Sequence, residues 1–199
     1  MSLIPLIVER GPDAVNSLPK GIRKSETAVA ETIENNVRRL IINESPVDPA
    51  YYEKMSKLLD ALIEQRRKGA VSYKEYLEKI AKLTKQATMP GGGPGGYPSA
   101  INTAAKRAIF NNLGQDATLT LAIDDAMHNA RQDGWRSNAM KTRRVRSAIR
   151  TVLAVHAGRL KDAPLNTAEA TAATYAVAAP DVEAVTDRVL ELVRHQNEY

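Results

Sequence analysis

Residues Glu31–Ile80 read ETIENNVRRLIINESPVDPAYYEKMSKLLDALIEQRRKGAVSYKEYLEKI, and the stretch is punctuated as consecutive helices. Val29, Ile33, Val37, Leu40 and Ile41 recur at helical spacing and form one apolar stripe behind a candidate N-cap, Ser25. Pro46 and Pro49 end that helix. Asp48 predicts a new N-cap, with Pro49 at the first helical position, where a missing N–H costs nothing. Tyr52, Met55, Leu58, Leu59, Leu62 and Ile63 mark the next buried face. Arg66, Arg67 and Lys68 set cations at the helix's negative end, and Gly69 suits the left-handed position beyond it. Ser72 and Glu75 then make a capping box for a helix turning Tyr73, Tyr76, Leu77, Ile80 and Leu83 inward. So short a connection predicts an antiparallel helical hairpin.

Working outward, Leu3–Arg10 reads as a weak helix ended by Gly11, with Pro12-Asp13 opening a short turn. On the other side, residues 90–98 read PGGGPGGYP, which cannot hold a helix because glycine loses too much backbone freedom and proline lacks a donor. Beyond this linker or ordered loop, Thr103–Leu113 is a helix closed by Gly114. Asp116 caps another to about Arg131, and Gly134-Trp135 makes a turn. Asn138 caps a third helix whose Val145, Ile149 and Leu153 face inward. Residues 154–165 are ambiguous. Thr167–Ala179 is alanine-rich and helical by propensity, with a weak apolar face that predicts loose packing. Asp181 opens a last helix carrying Val182, Val185, Val189, Leu190 and Val193.

No stretch alternates as a strand would. The predicted fold class is all-α: an irregular multi-helix bundle built around an antiparallel hairpin, with a Gly/Pro-rich loop in the middle. Residues 1–89 hold the first helices and the hairpin, 90–98 the loop, and 99–199 the remaining helices, expected to pack with the first part as one domain.

Composition narrows the function classes. The chain has 199 residues, 43% hydrophobic and 26% charged, an ordinary soluble mixture. A net charge of +5 permits an anionic partner without demanding one. Cysteine is absent, which rules out a disulfide framework or thiolate metal site and suits the cytoplasm. No apolar run approaches the ~20 residues that span a bilayer, so no membrane partner is expected. The opening MSLIPLIVERG lacks the charged n-region and cleavage site of a signal peptide. It reads like an internal helix entered in mid-protein, so a fragment boundary is expected there.

A phosphate-cradling loop needs a lysine and a hydroxyl after its glycines, but Tyr97-Pro98 follows Gly96, and no strand precedes. Restriction-type nuclease chemistry needs E-x-K on a strand, and no glutamate here is followed by x-Lys. Glu31 with Glu34, and Asp124 with His128, share helix faces and read as surface polarity or helix-stabilising pairs. His128, His156 and His195 are scattered. No residue is assigned to catalysis, to a metal or to a cofactor, and no small-molecule substrate is expected.

The segments ETIENNVRRLI, DPAYYEKMSKLL and SYKEYLEKI resemble the C-terminal helical region of the R (restriction) subunit of type I restriction–modification enzymes. YPSAINTAAKRAIFNNLG, RQDGWRSNAMKTRRVRSAI and the closing LELVRHQNEY are similar to later segments of that region, in the same order. The alanine-rich residues 153–180 depart from the pattern, which puts close packing of the last helix in question. The parent subunit the chain resembles is a site-specific deoxyribonuclease with ATP-dependent translocase activity. Its motor and nuclease domains, and with them ATP and magnesium, lie N-terminal to this region. The resemblance implies a module that docks the subunit onto the methyltransferase (modification) core in prokaryotic DNA restriction.

Two surfaces are candidates for that contact. Glu34, Asn35, Asn36 and Arg38 put polar residues in mid-helix, where asparagine competes with the backbone. They read either as a partner-docking surface or as a polar network inside the domain reaching the Pro46–Tyr52 corner. Tyr51, Tyr52, Tyr73 and Tyr76 read as hairpin core with wet hydroxyls. Farther on, Arg131, Arg136, Lys141, Arg143, Arg144, Arg146 and Arg150 crowd around Trp135 against a single acid, Asp133. This patch would touch DNA phosphates without reading bases, or meet acids of a partner or of the fold itself. Hence the expected function is non-catalytic assembly on the methyltransferase core, and the alternative is a module making non-specific contacts with duplex DNA through Arg136–Arg150. A free-standing regulator of the same core is a third, weaker reading.

Overall fold

The computed structural model describes residues 3–90, 96–157 and 181–199. Among them the secondary structure is helical throughout. The expected alanine-rich helix, Thr167–Ala179, and the glycines at 91–95 lie outside the described residues. The chain divides into two compact units, one of Met1–Ser45 and Tyr51–Gly96, the other of Pro46–Ala50 and Tyr97–Tyr199. The change of unit after Gly96 falls within the predicted linker. Sequence reading did not anticipate that Pro46–Ala50 belongs with the second unit.

The first unit contains α1 (Ile4–Arg10), a 3₁₀ helix (Gly11–Ser17), α2 (Lys20–Arg23), α3 (Glu26–Glu44), most of α4 (Pro49–Arg67) and α5 (Tyr73–Thr88). Ser25 Oγ accepts the Ala28 N–H and Ser72 Oγ accepts the Glu75 N–H, so both predicted caps form. Lys79 first, and the returned Ser72 N–H after it, hold the Glu75 carboxyl below its usual range. At the end of α4, Gly69 takes φ +67°, letting Ala70 N–H reach Gln65 carbonyl and Gly69 N–H reach Arg66 carbonyl. That Schellman motif turns the chain within a few residues. The hairpin is antiparallel: Tyr52 Oη donates to Ala87 carbonyl at one end, and Arg66 lies over the Tyr76 ring at the other.

Val29, Ile33, Val37, Ile41, Tyr52, Met55, Leu59, Tyr76 and Ile80 form the core of this unit, joined by Leu3, Ile7 and Ala14 from its N-terminal end. Two expectations are corrected. Leu58 is 44% exposed, because it lies beside the Met55–Leu59–Leu62 face and not on it. Pro12-Asp13 begins the 3₁₀ helix where a simple turn was expected, and Ala14 from it is buried against the core.

Among the described residues the second unit is a ring of four helices: α6 (Ala104–Asn112), α7 (Ala117–Ala130), α8 (Ala139–Val155) and α9 (Val182–Arg194). Each packs on the next, and α9 closes back on α6. Thr103, Asp116, Asn138 and Asp181 cap their helices with side-chain oxygens. Gly114, at φ +70°, ends α6 and brings Gln115 N–H to Phe110 carbonyl. Ile109, Leu119, Ile123, Met127, Val145, Ile149, Leu153 and Val193 are the fully buried centre. Val185, Val189 and Leu190 are buried too, so α9 is closely packed despite the atypical sequence before it. No described helix is long and apolar enough to cross a membrane.

Candidate functional site

The polar run in mid-α3 resolves into separate roles. Glu34 is buried, 6% exposed, and its carboxylate accepts from Arg66 Nε at 3.0 Å and from Tyr76 Oη at 2.8 Å. Both partners lie in the same unit, so Glu34 belongs to an internal network that ties α3 to α4 and α5. Its carboxylate is turned into the unit and away from solvent, and the network reaches Arg66 and Tyr76 instead of the Pro46–Tyr52 corner. Burial, then the Glu34 carboxylate, pushes the Tyr76 phenol well above its ordinary value. Asn36 Nδ2 returns to Thr32 carbonyl at 2.8 Å and Arg38 pairs with Asp60 at 2.7 Å. Asn35 is exposed. The tyrosine hydroxyls of α4 have partners within the unit: Tyr52 donates to the Ala87 carbonyl, and half-buried Tyr51 donates to the Gln86 carbonyl.

In the second unit the basic patch is largely occupied by the protein's own acceptors. Arg146 reaches Asp187 at 2.7 Å and Glu183 at 2.8 Å across the α8–α9 seam, and Arg150 pairs with Glu183 as well. Arg146 holds the Asp187 carboxyl below its usual range, and Arg150 and then Arg146 do the same to Glu183. Arg136 stacks on the buried Trp135 ring, 4.9 Å to its centroid, and donates to the carbonyls of Arg194 and Gln196. Lys141 Nζ binds the Asp133 carbonyl at 2.6 Å, and Arg131 binds that of Glu198. Arg143 and Arg144 are exposed and make no side-chain hydrogen bond or ion pair among the described residues.

Two further clusters escaped sequence reading. Asp48, 4% exposed, receives Asn111 Nδ2 at 2.6 Å and Asn112 Nδ2 at 2.8 Å, while Asn112 Oδ1 accepts the Ala50 N–H. Gln196 Nε2 adds a bond to the Val47 carbonyl at 2.7 Å. Its position before Pro49 marks Asp48 as a helix cap and carries no sign of this clamp. The signal was the adjacent pair Asn111-Asn112 near the end of a helix, which demands partners for its amides. Asp124, 6% exposed, receives Tyr199 Oη at 2.5 Å and pairs with Lys106 at 3.3 Å, with His128 Nδ1 3.7 Å away. Asp124 and His128 therefore face each other one turn apart on α7, as their spacing predicts, but Asp124 is buried in a cluster whose other members are distant in sequence. Burial and then Asp124 raise the Tyr199 phenol far above its usual range.

Beside the Asp48 clamp, Pro46, Pro49, Leu113, Val185, Val189 and Leu192 wall a cleft of about 300 Å³. Asn112 and the exposed Arg188, Glu191 and His195, which mark its solvent side, complete the lining. Among the described residues no group of three or more His, Cys, Asp or Glu side chains is placed to hold a metal ion. Comparison with protein-family models, with curated proteins and with solved structures found no match.

Proposed function

We propose that this chain is a non-catalytic helical assembly module of the kind found at the C-terminal end of type I restriction R subunits. In this reading it docks a translocase and nuclease onto a methyltransferase core, raising their local concentration at the complex. The observation that favours docking over DNA contact is the occupation of the basic patch. Arg136, Lys141, Arg146 and Arg150 bind the chain's own carbonyls and acids. Only Arg143 and Arg144, of the patch's candidates, present unpaired charge among the described residues. Two phosphate contacts give a log–log salt slope of only about −2, against about −5 for the six candidate cations together.

The test is co-elution of the chain with its cognate methyltransferase core on a sizing column, with and without duplex DNA, at low and high salt. Docking predicts co-elution without DNA that survives high salt. Association only in the presence of DNA, abolished by salt or by Arg143→Glu with Arg144→Glu, would replace docking with DNA contact.

A further inference from the structure

We infer that the cleft between α9 and the Pro46–Ala50 segment of the second unit is the docking pocket, and that it receives one bulky apolar side chain of a partner protein flanked by an acidic residue. The inference rests on the docking reading above and gives it a surface and a partner chemistry.

The shape sets the size of the occupant. About 300 Å³ lies at the small end of the range for clefts that enclose a free ligand, ~300–1,000 Å³. Side chains that dominate protein interfaces are bulky anchors seated in such apolar recesses. The walls are aliphatic side chains and proline rings, so they offer the occupant little besides hydrophobic contact.

Charge decides what flanks the anchor. On the mouth, Glu191 already lies 3.6 Å from Arg194 and 3.9 Å from His195. Arg188 is exposed and makes no hydrogen bond or ion pair among the described residues, so the unmet charge at the mouth is positive. The chain's net charge of +5 favours an acidic partner over a second copy of itself.

The pocket is also braced before any partner arrives. Gln196 ties the Val47 carbonyl at 2.7 Å, and Asn112 ties the Ala50 N–H at 3.2 Å. A pre-formed recess loses less conformational freedom on binding, which raises affinity for a given contact area. Arg144, by contrast, lines a more open recess between α7 and α8, and Arg143 lines neither.

The experiment uses the intact chain with its cognate methyltransferase core. Because the sequence has no cysteine, Glu191→Cys places a single thiol-linked photo-crosslinker in the cleft lining and leaves Arg188 intact. Asp125→Cys places one on the exposed face of α7, which contributes no wall. Position 191 should cross-link to an acidic segment of the core and position 125 should not. Arg188→Glu, and His195→Trp to fill the mouth, should each weaken binding by more than about tenfold with unchanged melting temperature, while Arg188→Lys binds nearly as wild type. Wild-type chain that fails to bind the core would overturn the docking reading itself, and this inference with it. Wild-type binding that Arg188→Glu leaves undiminished, with no cross-link from position 191, would overturn the cleft and leave docking standing.

Discussion

Glu34 with Arg66 in the first unit, and Glu183 with Arg146 and Arg150 in the second, are both carboxylate–guanidinium pairings between helices of one unit. The side chains of Glu34 and Arg66 are 8% and 17% exposed, whereas those of Glu183 and Arg146 are 47% and 33% exposed. Burial changes what each pairing does. Glu34 has been taken out of water, so its partners are obligatory: removing one leaves a charge that solvent cannot reach. Glu183 remains hydrated, so its pairs contribute little to folding. What they do instead is occupy arginines that would otherwise face solvent. One pairing holds three helices in register, and the other tunes a surface.

The largest effect should come from breaking the buried pair on one side. Arg66→Met should destabilise the first unit by about 3–5 kcal/mol in urea denaturation, since it strands Glu34. Replacing both, Glu34→Gln with Arg66→Met, should recover part of that loss. A loss below ~1 kcal/mol for the single variant would place Glu34 in the same class as Glu183.

Next is Asp48→Ala, which takes the carboxylate acceptor from two asparagine amides and leaves Asn111 only Tyr97 Oη and Asn112 only the Ala108 carbonyl among their acceptors in the described residues. It should cost the second unit about 2–4 kcal/mol, read from its own unfolding transition. Tyr199→Phe should cost less, about 1–2 kcal/mol, because Lys106 still faces Asp124.

Raised phenols add a pH dependence at the alkaline end. Tyr76 and Tyr199 stay protonated in the folded state above the pH at which free tyrosine ionises. Their contribution is complete below about pH 10 and is lost as pH rises beyond it, because the unfolded chain then releases protons that the folded chain retains. A melting temperature that falls above that pH in wild type, and less in Tyr199→Phe, checks the sign. Glu183 and Asp187, held low, act at the other end: their contribution is present above the ordinary carboxylate range and lost as pH falls through about 4 and below.

The smallest stability effect should be that of Glu183→Ala, whose melting midpoint should stay close to wild type. Its informative readout is binding. It frees Arg150 and leaves Arg146 with Asp187 alone, so weak duplex-DNA binding should steepen in salt from a slope of about −2 towards about −3. An unchanged slope would mean that the exposed pairing does not control the surface charge.

The helices and their ends were legible in the sequence because their causes are local. Ser25, Ser72, Asp116 and Asn138 cap the helices predicted for them, since a cap needs only the next three residues. The Val145–Ile149–Leu153 stripe is buried as its period requires. The candidate sites were less legible, because their causes are distant. Asn35-Asn36 and Asn111-Asn112 are the same dipeptide in helices; Asn36 and Asn112 both return to the carbonyl four residues back, yet Asn111 and Asn112 also clamp an aspartate more than sixty positions away. Nothing in either dipeptide says which.

The sequence by itself determined the all-helical fold class, its caps and stops, and the absence of a phosphate-loop and an E-x-K motif, because helix periodicity, capping and motif spacing are properties of neighbours along the chain. Only the tertiary structure decided that Glu34 is an internal tie, that Arg146 and Arg150 are engaged by α9, and that Pro46–Ala50 joins the second unit beside an apolar cleft. Each of those depends on which distant side chains share a low-dielectric or solvated space, and burial, unlike period, cannot be read one residue at a time.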